Sequence, residues 1–262
     1  MKILAIETAT AWQSIALLND TTVLARHDEE APGAHAKTLL PAIDRLFSTA
    51  GLSVRRLDGL VLSIGPGSFT GLRVGLATAL GFRTITRLPL AVVPTLEGLA
   101  WNLRGSPLPL CPILNSRKGE LYWAIFRWTN DDHVERIVPE TVGPPTRLGS
   151  MLEEQVLCYG EGWTLESASV RASAPQAVTL HETSPSIGRP SAVSIGLAGL
   201  AKLRRGEVAG QGVAPLYVQR SEAELKFDES GGLSPVARRQ AKIARKLGSR
   251  LAMAGPRRRP RK

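Results

Sequence analysis

The chain has 262 residues, 43% of them hydrophobic and 21% charged, with a net charge of +10. That length can bury one large core or two smaller ones, and domain sizes favour two. Residues 226–262 hold 12 Lys or Arg and 2 Asp or Glu, leaving 21 and 21 in residues 1–225, so charge alone ties any nucleic-acid binding to the tail and not to the body. No run approaches the ~18 apolar residues of a membrane span. Glu7 interrupts the apolar stretch after Met1, unlike a secretion signal. Cys111 and Cys158 lack metal-like spacing, which fits reduced, buried thiols and a cytoplasmic location.

Lys2 to Glu7, Ser14 to Leu18 and Thr22 to Arg26 read as short strands joined by turns. After Ala31-Pro32-Gly33, the spacing predicts a helix from about Ala34 to Ala50 with Leu39, Leu40, Ile43, Leu46 and Phe47 on one face. Pro41 inside it predicts a kink or a frayed first turn. His35 has Ala31 and Leu39 four residues to either side. It therefore belongs to no His-x-x-x-His pair and reads as a helix-end polar residue, not a ligand.

Leu60 to Ile64 is an apolar run, followed by Gly65-Pro66-Gly67-Ser68-Phe69-Thr70-Gly71-Leu72-Arg73 and then by large residues at helical spacing to about Arg87. The order is strand, tight turn, helix. Gly65 and Gly67 can take positive φ, and Ser68 or Thr70 can cap the helix. Free amides at such a helix start suit an anion, but the turn lacks the Lys of a P-loop, and a simple chain reversal explains it as well. Gly71 and Gly75 stand four apart on one helix face, where they let another element approach closely, either a partner's helix or one of the same domain.

Leu90 to Val93 reads as a strand and Thr95 as the cap of a helix to about Leu103. Strands alternating with helices predict a mixed α/β sheet. Arg104 to Pro109 is the best lobe boundary, and Leu110 to Leu114 with Glu120 to Trp128 reads as a hairpin across Asn115 to Gly119. Arg117, Lys118 and Glu120 fit a solvated turn, and the alternating aromatics Tyr122, Trp123 and Phe126 fit core contacts. Residues 129–190 are the least legible, with a strand at Val134 to Val138, a helix near Leu148 to Gln155 and a turn at Gly160-Glu161-Gly162. Ser191 caps a helix to Arg205, stopped by Gly206. No internal repeat is evident.

The tail has a different character. After a linker at Asp228 to Gly232, Ser234-Pro235 starts a helix. Val236, Ile243, Leu247 and Leu251 are set among Arg238, Arg239, Lys242, Arg245, Lys246 and Arg250, and Arg257, Arg258 and Arg259 follow. Such a segment can contact RNA phosphates, an acidic partner or an anionic membrane, or serve as a solvated tail.

The nine-residue string Gly65 to Arg73, with Ile3-Leu4-Ala5-Ile6-Glu7-Thr8, with His35 ahead of Leu39-Leu40-Pro41 and with Arg117-Lys118-Gly119-Glu120-Leu121-Tyr122-Trp123, resembles the bacterial TsaB (YeaZ) family. Pro215 to Arg220 extends the likeness more weakly, so it covers about residues 1–220. The resemblance implies a two-lobed actin-like (ASKHA, RNase H-like) ATPase fold with mixed sheets and flanking helices. Residues 1–105 would form the first lobe, 106–220 the second and 221–262 the basic tail, with the last helix free to return to the first lobe. In active superfamily members an Asp ending the first strand holds metal and phosphate; here Glu7 stands there, and its plainer reading is a turn acid capping backbone amides. With Thr8, Gly65, Gly67, Ser68 and Thr70 it forms the phosphate-proximal set. Asn115 stands where TsaB relatives commonly carry Asp, and an amide cannot act as a base.

By the same resemblance the chain is a non-catalytic scaffold and activator of TsaD, acting with the ATPase TsaE to place a threonylcarbamoyl group on the adenosine beside the anticodon of tRNA. TsaC supplies the donor, and tRNA is met through the complex. The isolated chain would pair with itself through first-lobe helices, at Leu39, Leu40, Ile43, Phe47, Gly71, Leu72 and Gly75. No metal, cofactor or membrane partner is expected of this chain alone, with ATP or ADP reserved to the complex. The rival reading is an enzyme in its own right, an actin-like ATPase or a metal-dependent peptidase.

Overall fold

A computed structural model describes residues 1–219 other than Lys118 and Asp131. The expected basic helix and polybasic end lie outside the described residues. The first sheet is built from β1 (Lys2–Glu7), β2 (Trp12–Asn19), β3 (Thr22–Glu30), β4 (Gly59–Ser63) and β5 (Leu90–Val93), in the order β3-β2-β1-β4-β5. β1 runs antiparallel to β2 and parallel to β4. β4 is buried at every position, as a continuous apolar run requires when a parallel strand is covered on both faces.

Alternation along β1 decides what each face touches. Leu4 and Ile6 join Leu60 and Leu62 under α1 (His35–Ala50) and α2 (Phe69–Thr86), while Ile3 and Ala5 join Val61 on the opposite face under α6 (Ala192–Arg204). α1 continues through Pro41 and ends at Gly51 in the left-handed region, φ 59°. Ser68 caps α2 by accepting from the Gly71 amide, and Ser191 caps α6 by accepting from the Val193 amide. Thr95 does not cap α3 (Thr95–Ala100). Pro94 holds the cap position, and the Thr95 hydroxyl pairs with Ser63 at 2.9 Å.

The second sheet comprises β6 (Leu110–Asn115), β7 (Leu121–Asn130), β8 (His133–Gly143), β9 (Val156–Tyr159) and β10 (Leu180–Glu182), in the order β10-β9-β6-β7-β8. Read outward from β6, it repeats the order and strand directions of the first sheet. The chain thus contains a topological repeat that its residues do not display, because pairing order depends on which strands bury which faces and not on residue identity. This duplicated arrangement is the two-lobed actin-like architecture.

Several expectations need correction. α4 spans Pro145–Met151, not 148–155, because Pro145 opens it and Leu152 is already extended. The turn at Gly160 to Gly162 is a helix start: Gly160, at φ 111°, precedes α5 (Glu161–Ser173). The break at residue 105 falls between the two sheets, and α6, the helix left free to return to the first lobe, packs on the first sheet. The first lobe is therefore assembled from two separate stretches, and Met1–Val218 forms one compact unit.

Candidate functional site

The ends of β1 and β4 and the start of α2 bring the expected phosphate-proximal residues together. Glu7 is fully buried. One carboxyl oxygen accepts from the Ala9 amide, and the other has no hydrogen-bond partner. Burial pushes its pKa up to about 7, against the smaller opposing pull of the Ser63 hydroxyl and the Ala9 amide. The plainer reading of Glu7 thus describes one of its oxygens, while the second is buried with no hydrogen-bond partner.

The glycine-rich turn is closed by the chain itself. The Ser68 amide donates to the Ala9 carbonyl at 2.6 Å, and the Gly71 amide donates to Ser68 Oγ at 3.2 Å. A β-carbon at Gly67 would collide with the Ala9 carbonyl. Two of the amides expected to stand open are therefore taken up, the Ser68 amide by the Ala9 carbonyl and the Gly71 amide by the cap at Ser68. Thr70 is exposed and leaves the capping to Ser68. Thr8 is buried and donates its hydroxyl to the Gly71 carbonyl at 2.9 Å.

His35 starts α1 as a buried hub. Its Nε2 lies 2.8 Å from the Thr10 carbonyl and its Nδ1 3.4 Å from Gln13 Oε1. Thr38 donates to the same Gln13 oxygen, and Gln13 Nε2 donates to Glu29 at 2.6 Å. Both ring nitrogens thus face oxygens of the chain, and this set does not fit a paired-histidine metal centre. Among the described residues no group of three or more His, Cys, Asp and Glu is placed to hold a metal ion.

Of the seven residues expected at a subunit interface, Leu39, Ile43, Phe47 and Leu72 are buried in the chain's own core, and Gly71 and Gly75 press against Thr8. Only Leu40 is open, at 57% exposure. The other six cannot offer side chains to a partner, because the helical stripe that stood out in the sequence is the stripe facing the sheet. The outer surface of the same helices is different. Phe69 packs against Tyr217 with ring centroids 5.1 Å apart, Arg73 lies 3.7 Å over the Phe69 ring, and Ile85 is 84% exposed.

In the second lobe, Asn115 is exposed at the end of β6. Glu161, which opens α5 beside it, was missed as anything more than a turn residue. Desolvation raises its carboxyl, and a hydrogen bond with the Asn115 backbone holds it back. The signal was the strand-turn-helix order around Gly160, the same order that marks Gly65 to Gly67.

The profile of the family described as "TsaD: tRNA N6-adenosine threonylcarbamoyltransferase" matches residues 26–227. The chain is 36% identical over 172 residues to the tRNA threonylcarbamoyladenosine biosynthesis protein TsaB of Escherichia coli, covering 62% of this chain and 72% of that protein. It is 29% identical to the protein of the same name from Bacillus subtilis, covering 88% and 99%. Among solved structures, YeaZ from Pseudomonas aeruginosa superposes with a TM-score of 0.70 at 25% identity, covering 82% of this chain and 99% of that one.

Proposed function

The chain belongs to the TsaB (YeaZ) family, and from that premise we propose that it serves tRNA threonylcarbamoyladenosine biosynthesis as a non-catalytic scaffold and activator subunit. It acts with a TsaD-type transferase and a TsaE-type ATPase, a TsaC-type enzyme supplies the donor, and tRNA is met through the assembly. An adenine nucleotide, in this reading, is held within the complex and not by this chain alone.

The observation that supports the non-catalytic role is the filled space around Glu7. The acid that would serve metal or phosphate is buried with one oxygen on the Ala9 amide, and the turn that would cradle phosphate rests on the Ala9 carbonyl. A carboxyl enclosed in this way supports a structural role for the acid. The test is co-expression with the same organism's TsaD-type protein, purification, and a tRNA threonylcarbamoylation assay, beside nucleotide titration of the isolated chain. Transfer is expected to require both proteins, with no turnover by this chain alone. Hydrolysis of ATP, or metal-dependent peptide cleavage, by the isolated chain would overturn the reading.

A further inference from the structure

The hairpin β7–β8 belongs to the second sheet but reaches the helix that covers the first. Trp128 and Val134, on either side of its turn, pack both on the cluster under α6, which holds Trp101 and Ala198, and on the cluster that holds Phe126 and Leu99. The fit is incomplete. Between the hairpin, α6, and α3 with the 3-10 turn Trp101–Leu103 that follows it lies a cavity of about 400 Å³, within the roughly 300–1,000 Å³ usual for small-molecule sites. It lies across the first sheet from α1 and α2, because α6 covers the opposite face.

Its apolar wall is aromatic: Phe126 and Trp101 both border the space, and Trp101 is set edge-on to Trp128 with ring centroids 5.1 Å apart. The Trp101 indole N–H is buried with no acceptor among the described residues. Such a donor costs free energy until an acceptor meets it, and because Trp101 borders the cavity, an acceptor entering there is the group that can do so.

The polar wall holds acids and bases in pairs. The Lys202 ammonium, on a side chain 16% exposed, meets both oxygens of Glu97 at 3.0 and 3.2 Å. Arg205 engages both oxygens of Glu207, and Arg136 donates through Nη1 to Glu140. The charges cancel, but the hydrogen-bonding capacity does not. Glu97 and Glu207 have each oxygen engaged, whereas an ammonium carries three N–H groups and a guanidinium five, so Lys202, Arg205 and Arg136 all keep donors to spare. A cation would find those two carboxylates occupied, and a purely apolar ligand would leave the Trp101 N–H unserved.

We propose that this cavity binds a small organic anion, a flat apolar body bearing a carboxylate or a phosphate. The oxyanion accepts from Lys202 and from the Trp101 N–H, and the flat body lies against Phe126 and Trp101. Arg136 and Arg205, whose side chains are nearly half exposed, stand at the mouth. A ligand held there touches α6 and β7–β8 together, so it ties the second sheet to the first.

The test titrates the full chain by calorimetry at pH 7 with 2-naphthoate, 2-naphthyl phosphate and uncharged 2-naphthol. Two variants locate the binding. Trp101→Phe keeps a ring and removes the N–H, and Glu97→Gln/Lys202→Met removes the ammonium without leaving a buried carboxylate unpaired. At least one anion is expected to bind the wild type more tightly than naphthol and to raise its melting temperature. In each variant that melts like the wild type, affinity for that anion should fall about tenfold or more, the effect of one charge-assisted or buried hydrogen bond. If Trp101→Phe melts early, the double variant decides. Binding of the carboxylate alone, or of the phosphate alone, supports the site and names its anion. No binding of either anion at millimolar concentration, equal binding of naphthol, or affinity unchanged in both variants overturns the proposal.

Discussion

Gly71 lies directly against Thr8: the Thr8 hydroxyl donates to the Gly71 carbonyl at 2.9 Å, and a β-carbon on Gly71 would fall far inside contact distance of the Thr8 carbonyl oxygen. Gly75, one turn on, faces the Thr8 side chain in the same way. The glycine pair therefore seats α2 on the end of β1.

Gly71→Ala is expected to destabilise the fold, by about 1–3 kcal/mol or more, since the obstructing atom is backbone and cannot rotate away. Gly75→Leu should likewise lower the melting temperature and not act mainly on subunit pairing. Thermal melting with gel filtration checks both; a Gly75→Leu protein of unchanged stability but altered oligomeric state would contradict this.

Glu7 should make stability depend on pH. Its folded pKa of about 7 lies above the ordinary carboxyl value of 4.5, so between those values the folded state holds a proton that the unfolded state has lost. Stability from this group therefore falls as pH rises from about 4.5 to about 7 and is flat above. The full span is about 3 kcal/mol by linkage. Glu7→Gln, which keeps an oxygen for the Ala9 amide, should stabilise the protein at pH 8 and flatten that slope. Denaturant midpoints at pH 5 and pH 8 for both proteins measure it.

Cys111 and Cys158 are partners in the parallel pairing of β6 and β9, and both are fully buried. The contact with Cys158, followed by burial, pushes the Cys111 thiol well above its ordinary pKa, which leaves little thiolate. Both thiols should resist a thiol reagent in the native protein at pH 8 and react together in denaturant. Prompt reaction of either in the folded protein would refute the assignment.

The basic tail gives a fourth expectation, from sequence alone. Truncation after Leu225 should flatten the salt dependence of tRNA binding by the proposed complex of this chain with a TsaD-type protein. Each phosphate contact contributes a slope of about −0.7 on single strands, so four contacts would remove roughly three units. An unchanged slope assigns the tail to another partner or to solvent.

The strands around Glu7, the glycine-rich turn, α2 and α6 were legible because each is marked locally, by an apolar run, a turn residue or a capping hydroxyl. α5 was not, since only Gly162, Trp163 and Val170 of its thirteen residues are buried and the rest give little periodic signal. The Cys111–Cys158 contact was equally hidden, because register between strands 47 residues apart in sequence is set by the sheet.

What the sequence determined by itself was membership and local form: the Gly65 to Arg73 string, the element order and the neutral total of the body. What only the tertiary structure decided was direction. A helical stripe of Leu39, Ile43 and Phe47 reads the same whether it faces a sheet or a partner, and packing turned it inward. A charge count cannot say which side of the molecule each cation occupies. Lys37, Arg45 and Arg73 stand exposed on the helices that cover one face of the first sheet, because side-chain direction follows from which face each element buries, and that is fixed only when the elements meet.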